Sequence, residues 1–149
     1  WAIRNGYLTP ENYLKEEVKD FAAIFKMWQG KCKHQSLEKL LKELGYEVEV
    51  KLEHKTPDFT LVGVADAIKD DTILEIKTST ELLPKAKCWH EEQVKIYLSL
   101  FNKEKGIIVQ PITQNNKLIL KEIGVVERDD KFFKKVLAEL DEFYTILTT

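Results

Sequence analysis

Three consecutive segments with alternating apolar and polar residues constrain the fold more than any other feature of this sequence. They are YEVEVKLEH (46–54), DFTLVGVADAI (58–68) and TILEIKT (72–78). A period of two is typical of strands, and the tight turn at Lys69, Asp70 and Asp71 predicts that the last two segments pair as a hairpin. A β-sheet is therefore predicted at the centre of the fold.

Helical periodicity marks four other segments, which are 8–30, 34–45, 86–101 and 129–147. The first has Thr9 as its N-cap and Pro10 in its first turn, and Gly30 is predicted to end it. Apolar segments at 106–112 and 117–126 predict two further strands. Strands in a row, followed by a crossover helix and another strand, predict an α/β fold with a mixed central β-sheet flanked by helices, in a single domain spanning 1–149.

Charge and hydropathy narrow the class of protein. The formal net charge of the 149 residues is -2, so any nucleic-acid contact must depend on a local basic patch. No apolar run is long enough to span a bilayer, and no signal peptide opens the chain, which predicts a cytoplasmic protein without membrane contact, in the host cytoplasm if the chain is viral. Since the sequence begins with Trp1 rather than Met, we expect that N-terminal residues are missing from it.

Ionisable residues interrupt two of the predicted strands. Asp66 lies on the same predicted strand face as three apolar residues, Val62, Val64 and Ile68. On the next strand, Glu75 and Lys77 share a face with Ile73. If the two strands pair with this face toward the core, two carboxylates and one ammonium group converge in an apolar place. Burying the remaining negative charge is costly, and a hard divalent cation such as Mg²⁺ or Mn²⁺ would balance it.

The flanking helices carry polar residues at positions predicted to face inward. His34 lies on the same helix face as a leucine stripe, Leu37, Leu40, Leu41 and Leu44. Gln93 lies on the predicted buried stripe of its helix, which is formed by Trp89, Ile96 and Leu100. Tyr97 follows Gln93 by one helical turn, so the two side chains are expected to contact each other. An imidazole, an amide and a phenol are therefore available near the charged strands.

Taken together, four short motifs resemble a known family. GVADAI followed by EIK gives the pattern D-x8-E-x-K, with GKCKH upstream and QVKIY downstream. In this order the motifs resemble the PD-(D/E)XK nuclease superfamily and, within it, the RecB-like branch that includes the CRISPR-associated four-cysteine nucleases and phage exonucleases. The resemblance covers roughly residues 30–112. It implies a restriction-endonuclease-like core.

The resemblance also implies roles for individual residues. It implies four metal ligands, which are His34, Asp66, Glu75 and the main-chain carbonyl of Ile76. Lys77 would position or activate the attacking water and stabilise charge on the phosphate. Gln93 and Tyr97 would orient the site and contact the nucleic-acid backbone.

The implied activity is a metal-dependent deoxyribonuclease that hydrolyses DNA phosphodiester bonds, on single strands or DNA ends. The cofactor would be Mg²⁺ or Mn²⁺, and the histidine favours Mn²⁺. Family members with an iron–sulfur cluster carry four cysteines, whereas this chain has only Cys32 and Cys88, so no cluster is expected. Exo versus endo action stays open.

Several alternatives remain open at the level of the sequence. Asp58, in the literal Pro57-Asp58 pair, competes with Asp66 as the metal ligand, although Asp66 is preferred because it follows a glycine on the apolar strand. The strand with Glu75 and Lys77 could instead be a solvated face. Four lysines near these motifs, Lys31, Lys33, Lys85 and Lys87, form either a solvated face or a phosphate-binding patch.

Other functions also fit the pattern. The chain could be a catalytically silent relative that binds nucleic acid or a protein partner, or an assembly protein. The aromatic residues of the last helix, Phe132, Phe133, Phe143 and Tyr144, predict core packing or a homo-oligomer surface. His90 is a candidate substrate contact.

Overall fold

A computed structural model describes Thr9, residues 21–79 and residues 81–149 of the chain. In these residues, five strands and three helices follow one another as α1 (Phe21–Glu43), β1 (Glu47–Lys55), β2 (Thr60–Lys69), β3 (Thr72–Ile76), α2 (Cys88–Leu100), β4 (Lys105–Gln114), β5 (Lys117–Glu127) and α3 (Asp130–Thr148). Within this described part of the chain, no helix is long and apolar enough to cross a membrane.

The five strands form one mixed sheet in the order β1-β2-β3-β4-β5. Neighbouring strands are antiparallel except β3 and β4, which run parallel and are joined by α2. A parallel pair needs a crossover connection, and α2 supplies it. The predicted α/β fold with a mixed central sheet flanked by helices is confirmed.

Helices cover both faces of the sheet. On one face, α2 buries Val94 and Leu98 against a cluster that includes Ile73 and Ile108. The stripe predicted for α2 is wrong in part, because Val94 and Leu98 take the place of Trp89, which is 40% exposed. We call this cluster the α2 core.

On the other face, Leu37 and Leu41 of α1 pack against a second cluster that includes Leu74 and Ile76. The predicted leucine stripe is only half correct, since Leu40 and Leu44 are 48% and 63% exposed. Its buried half is what fixes α1 across the sheet.

Gly30 does not end a helix, as the sequence predicted, because α1 runs without interruption through this position. A glycine within a helix costs about 1 kcal/mol relative to alanine. Burial of each leucine against the sheet contributes about 1.5–3 kcal/mol and outweighs that cost. A Cβ atom at Gly30 would lie 3.3 Å from Oγ1 of Thr78, so the glycine lets α1 approach the end of β3 closely.

The sequence predicted both a start and a stop for the helical region that contains α1. The predicted start at Pro10 lies outside the described residues. The predicted stop at Gly45 is confirmed, because this glycine adopts φ +90° and donates its N–H to the carbonyl of Lys42 at 3.1 Å. Glycine adopts this left-handed conformation without steric cost.

The last helix, α3, is not part of the core. None of its residues is fully buried, so the core packing predicted for its aromatic residues is wrong. Two of these residues make contacts at the edge of the domain, where Phe133 meets His54 and Tyr144 meets Phe59, with ring centroids 5.6 and 6.5 Å apart.

Candidate active site

Asp66 lies where β2 and β3 separate. The two strands pair only as far as Ala67 and Leu74, and the same register places Asp66 opposite Glu75. At this point the main-chain N–H of Ile76 donates a hydrogen bond to Oδ2 of Asp66 at 2.8 Å. A carboxylate therefore replaces the backbone acceptor that a continuing strand would supply.

The neighbourhood of Asp66 differs from the predicted apolar face. Val62 and Val64 are 48% and 44% exposed, so that part of the prediction is wrong. Ala65 and Ile68 belong to the same cluster although they are three residues apart, which means that the alternation along β2 shifts at Asp66. The strand opposite is also distorted, because Glu49 has φ +50°. Simple alternation could not anticipate this shift.

Glu75 is the most deeply buried charged residue of the site. It is 4% exposed, and its Oε1 atom accepts a hydrogen bond from Nζ of Lys77 at 3.2 Å. Its Oε2 atom is buried and accepts no hydrogen bond from a donor of the described residues, and the carboxyl group of Asp66 lies in contact with the carboxyl group of Glu75. Burial, followed by the negative charge of Asp66, raises the pKa of Glu75 from 4.5 to about 7. The solvated strand face considered for Glu75 is therefore wrong.

Lys77 connects the carboxylates to α2. Its Nζ atom donates to Oε1 of Gln93 at 2.6 Å, and Nε2 of Gln93 donates to the hydroxyl of Tyr97 at 3.1 Å. The backbone of Lys77 is held by β4, since its N–H donates to the carbonyl of Val109 at 2.9 Å. The predicted contact between Gln93 and Tyr97 is confirmed, and it forms one hydrogen-bonded chain with Lys77 and Glu75.

His34 reaches the site from α1. Its Nδ1 atom lies 3.7 Å from Oδ1 of Asp66, and the two side chains are 25% and 17% exposed. Burial raises the pKa of Asp66. The hydrogen bond from the main-chain N–H of Ile76 lowers this pKa, and so do the nearby side chains of His34 and Lys77. His34 on α1 thus lies next to Asp66 on β2, and Asp66 lies opposite Glu75 on β3.

The donor set suits a hard divalent cation. Asp66 and Glu75 supply carboxylate oxygens, and the unpartnered Oε2 atom of Glu75 is a buried acceptor that a cation would satisfy. Among the described residues, no three His, Cys, Asp or Glu side chains already have the arrangement of a metal site. A cation would therefore be held first by the two carboxylates. The roles of His34 and of the Ile76 carbonyl as ligands stay predictions.

Asp58 lies elsewhere. Its side chain is paired with Asp141 of α3, and this carboxyl–carboxyl contact raises the pKa of Asp58. The sequence predicted that Asp58 lies near Glu75, but the described residues show no contact between these two side chains. The geometry therefore favours Asp66 over Asp58 as the partner of Glu75.

Glu38 belongs to the surroundings of the site and was missed from the sequence. It lies one helical turn after His34 on α1. Burial, together with the nearby carboxylates of Glu49 and Asp66, raises the pKa of Glu38 to about 7. The spacing of four residues from His34 is the sequence signal that could have identified it.

We expect the stability of the protein to fall as the pH rises from about 4.5 to about 7 in the presence of EDTA. In this window the folded state binds more protons than the unfolded chain, because the pKa of Glu75 is raised from 4.5 to about 7. The fully ionised group then costs the folded state about 3 kcal/mol. Thermal unfolding between pH 4 and 8 measures this slope.

The matched variants for this pH series are Glu75→Gln and Glu127→Gln. Glu75→Gln should remove the contribution of Glu75 and lessen the pH dependence, while the raised pKa of Glu38 keeps a slope of its own. Glu127→Gln replaces an exposed glutamate at the end of β5 and should leave the pH dependence unchanged. Equal slopes for Glu75→Gln and the wild type would show that the pKa of Glu75 is not raised in the folded protein.

Gln110 is a second residue that the sequence did not single out. It is 2% exposed on β4, where both ends of its amide bind the loop that follows Lys77. Its Oε1 atom accepts from the N–H of Leu83 at 2.8 Å, and its Nε2 atom donates to the carbonyl of Glu81 at 2.7 Å. A glutamine in an apolar strand was its only sequence signal. It fixes the connection between Lys77 and α2.

Replacing Gln110 by leucine should lower the free energy of unfolding by about 2 kcal/mol, because it removes two hydrogen bonds that each contribute about 0.5–1.5 kcal/mol. Urea unfolding measures the difference. Gln114→Leu, at the exposed end of β4, is the matched control and should change stability by less than about 0.5 kcal/mol. Similar effects of the two substitutions would contradict this role of Gln110.

The four lysines that lie near the motifs in the sequence are at the protein surface. Lys31, Lys33, Lys85 and Lys87 are all exposed. Nζ of Lys87 lies 5.0 Å from the ring centroid of Trp89. Burial, followed by the positive charges of Lys77 and Lys87, lowers the pKa of His90 to about 4, so this imidazole is neutral at physiological pH.

Comparison with known proteins gives matches to solved structures alone. No protein-family model and no curated protein matches the sequence. SSO0001 is 30% identical to this chain with a TM-score of 0.57, over 74% of this chain and 56% of SSO0001. The chain therefore spans just over half the length of SSO0001.

Two exonucleases superpose over most of the chain. The alkaline exonuclease LHK-Exo from Laribacter hongkongensis is 17% identical, with a TM-score of 0.63 over 90% of this chain and 72% of LHK-Exo. The phage-related exonuclease from Haemophilus somnus 129PT is 13% identical, with a TM-score of 0.65 over 99% of this chain and 81% of that enzyme. The chain has an exonuclease-like fold.

The exonuclease-like fold agrees with the nuclease core that the motifs predict. LHK-Exo has also been solved in complex with dAMP, and that structure is 16% identical to this chain with a TM-score of 0.61. At these identities the similarity concerns the arrangement of the sheet and helices.

Proposed function

We propose that this protein is a metal-dependent deoxyribonuclease of the PD-(D/E)XK superfamily. The observation that carries the proposal is the buried Oε2 atom of Glu75, which has no hydrogen-bond partner in the described chain although Asp66 adds a second negative charge beside it. A buried carboxylate of this kind is costly unless a cation balances it. Two carboxylates offer the hard oxygen ligands that Mg²⁺ and Mn²⁺ prefer.

Lys77 has the geometry to act on the phosphate. Its ammonium group carries three N–H bonds, and it donates to Glu75 and to Gln93. The remaining N–H can donate to a phosphate oxygen or to the attacking water. Because both partners hold Nζ in place before the reaction, the positive charge needs little reorganisation when charge develops on the phosphate.

The remaining residues position these groups. Gln93 is fixed between Lys77 and Tyr97, so its amide orients the ammonium group. His34 lies against Asp66 and, in this proposal, completes the ligand set together with the Ile76 carbonyl. A divalent cation bound there would lower the pKa of its bound water and polarise a phosphoryl oxygen.

Single-stranded DNA or DNA ends are the proposed substrates, as expected for the RecB-like branch. Two exposed lysines in the loop before α2, Lys85 and Lys87, offer phosphate contacts that the net charge of -2 does not provide, and Lys87 acts on His90 together with Lys77. The complex of LHK-Exo with dAMP, a nucleoside monophosphate, supports a nucleotide ligand for this fold.

A second candidate is a silent module that binds nucleic acid or a protein partner. The observation in its favour is the exposed apolar surface on the first half of α1, where Phe21 and Trp28 are 81% and 58% exposed. This surface could serve an active nuclease equally well. The buried Glu75 has no comparable explanation in a silent module.

A cleavage assay separates the two candidates. Linear and circular DNA, each single- and double-stranded, is incubated with Mg²⁺, Mn²⁺ or EDTA. We expect cleavage with a divalent cation and none in EDTA, and restriction of cleavage to linear DNA would identify an exonuclease. Binding of DNA without cleavage under every cation would favour the silent module, and cleavage in EDTA would contradict the proposed mechanism.

A further inference from the structure

A cavity of about 300 Å³ lies between β2, α2 and α3. Most of its lining is apolar, with Leu61, Val62, Ile96, Leu100, Val136 and Leu140. Trp89, which is 40% exposed, adds an aromatic ring to the wall. None of these residues has a role in the chemistry described above.

The cavity adjoins the candidate active site. Gln93 and Tyr97 line it, and Gln93 is the residue that accepts a hydrogen bond from Lys77 at 2.6 Å. The cavity therefore begins one side chain away from the ammonium group that would meet the phosphate. A nucleotide whose phosphate contacts Lys77 would have its base within reach of this cavity.

The size and chemistry of the cavity select a base over other occupants. Its volume is at the lower end of the range for small-molecule sites, which is about 300–1,000 Å³. Glu92 and Glu139 also line the cavity, and their carboxylates disfavour a phosphate there but not a neutral ring. Trp89 offers the kind of aromatic surface on which bases stack.

We propose that this cavity binds one unpaired base next to the scissile phosphate. The inference rests on the proposed nuclease function and adds a substrate subsite to it. A base can enter only after it has left the duplex stack, which costs a few kcal/mol in paired DNA and much less in a single strand or frayed end. Binding of a base in the cavity would therefore favour unpaired DNA without any sequence readout.

The test uses single-stranded oligonucleotides that each carry one abasic residue, placed in turn at the positions on both sides of the cleaved bond. We expect wild-type cleavage with Mn²⁺ to fall about tenfold at one position, since stacking of a base on an aromatic side chain contributes about 1–3 kcal/mol. For the abasic residue at this position of the oligonucleotide, we compare the cleavage rate of intact DNA with that of abasic DNA. Val136→Phe fills the cavity, so the ratio of these two rates should fall to about one.

A second test variant and a control variant complete the experiment. Trp89→Ala removes the stacking surface without filling the cavity and should also lower the ratio. Val125→Phe makes the same change as Val136→Phe at a 50% exposed position on β5, and it should keep the wild-type ratio.

The outcomes are distinguishable. A wild-type enzyme that cleaves every abasic oligonucleotide at the full rate would overturn the base site but leave the nuclease intact. A wild-type ratio in both Val136→Phe and Trp89→Ala would also overturn the base site and leave the nuclease intact, because it would show that no base enters the cavity. Failure to cleave any oligonucleotide would overturn the nuclease function itself.

Discussion

Replacing Glu75 by glutamine should reduce the cleavage rate by at least about a thousandfold. This loss corresponds to about 4 kcal/mol, within the several kcal/mol that a bound cation supplies to a phosphoryl transition state. The substitution is nearly isosteric and removes a buried charge, so the folded protein should be as stable as the wild type in EDTA at pH 8, or more stable. Single-turnover cleavage of single-stranded DNA and thermal unfolding measure the two effects.

The combination of results distinguishes a ligand from a structural residue. A structural role for Glu75 predicts lost stability and activity together, whereas a ligand role predicts lost activity alone. Glu127→Gln, an exposed control at the end of β5, should keep both properties. Wild-type activity of Glu75→Gln would contradict the proposed site.

Replacing Lys77 by methionine should lower the single-turnover rate by about 10²–10³-fold, the range observed when one preorganised donor to a transition state is removed. Methionine keeps much of the aliphatic stem and removes only the ammonium group that donates to Glu75 and Gln93. Without this positive charge the carboxylates should bind a cation at least as tightly as before. Cleavage rates at saturating Mn²⁺ therefore isolate the contribution of Lys77 to the chemistry.

The control for this experiment is Lys131→Met, which removes an exposed lysine from the first turn of α3. It should keep the wild-type rate. If Lys77→Met were rescued fully by higher Mn²⁺ concentrations, Lys77 would serve cation binding, and its proposed contact with phosphate or water would be wrong.

Much of the architecture could be predicted from the sequence because local patterns agree with the tertiary structure. Alternation identified β1 to β3, and the turn at Lys69, Asp70 and Asp71 joins β2 to β3 as expected. The continuous apolar segment at 106–112 was correctly assigned to a strand that is covered on both faces. These patterns reflect burial that is regular along most of each element, with the shift at Asp66 of β2 as an exception.

The sequence failed where tertiary contacts override local signals. Gly30 has the character of a helix end, yet packing of Leu37 and Leu41 carries α1 past it. The aromatic residues of α3 have the pattern of a core helix, but α3 sits at the margin of the domain. Neither outcome could be deduced from the spacing of residues, because both depend on which surfaces the rest of the chain offers.

The candidate site, like the fold, could be predicted from the sequence only in part. The motifs brought His34, Asp66, Glu75, Lys77, Gln93 and Tyr97 to attention. The structure pairs His34 with Asp66 and connects Glu75 through Lys77 and Gln93 to Tyr97, and the two groups adjoin where Asp66 lies opposite Glu75. Asp66 was preferred because it was predicted to lie on an apolar strand face. That face is wrong, because Val62 and Val64 are exposed and the alternation of β2 shifts at Asp66. Gln110 was missed, since its role depends on a loop that only the folded chain brings to β4.

Titration with Mn²⁺ at pH 7.5, followed by the paramagnetic resonance signal of the free ion, tests most directly whether Asp66 and Glu75 form a cation site. The wild type should remove free Mn²⁺ in a saturable manner, and Glu75→Gln should weaken this binding by at least about tenfold, as loss of a ligand demands. Glu127→Gln should bind as the wild type does. Absence of binding to the wild type, or equal binding by Glu75→Gln, would contradict the account.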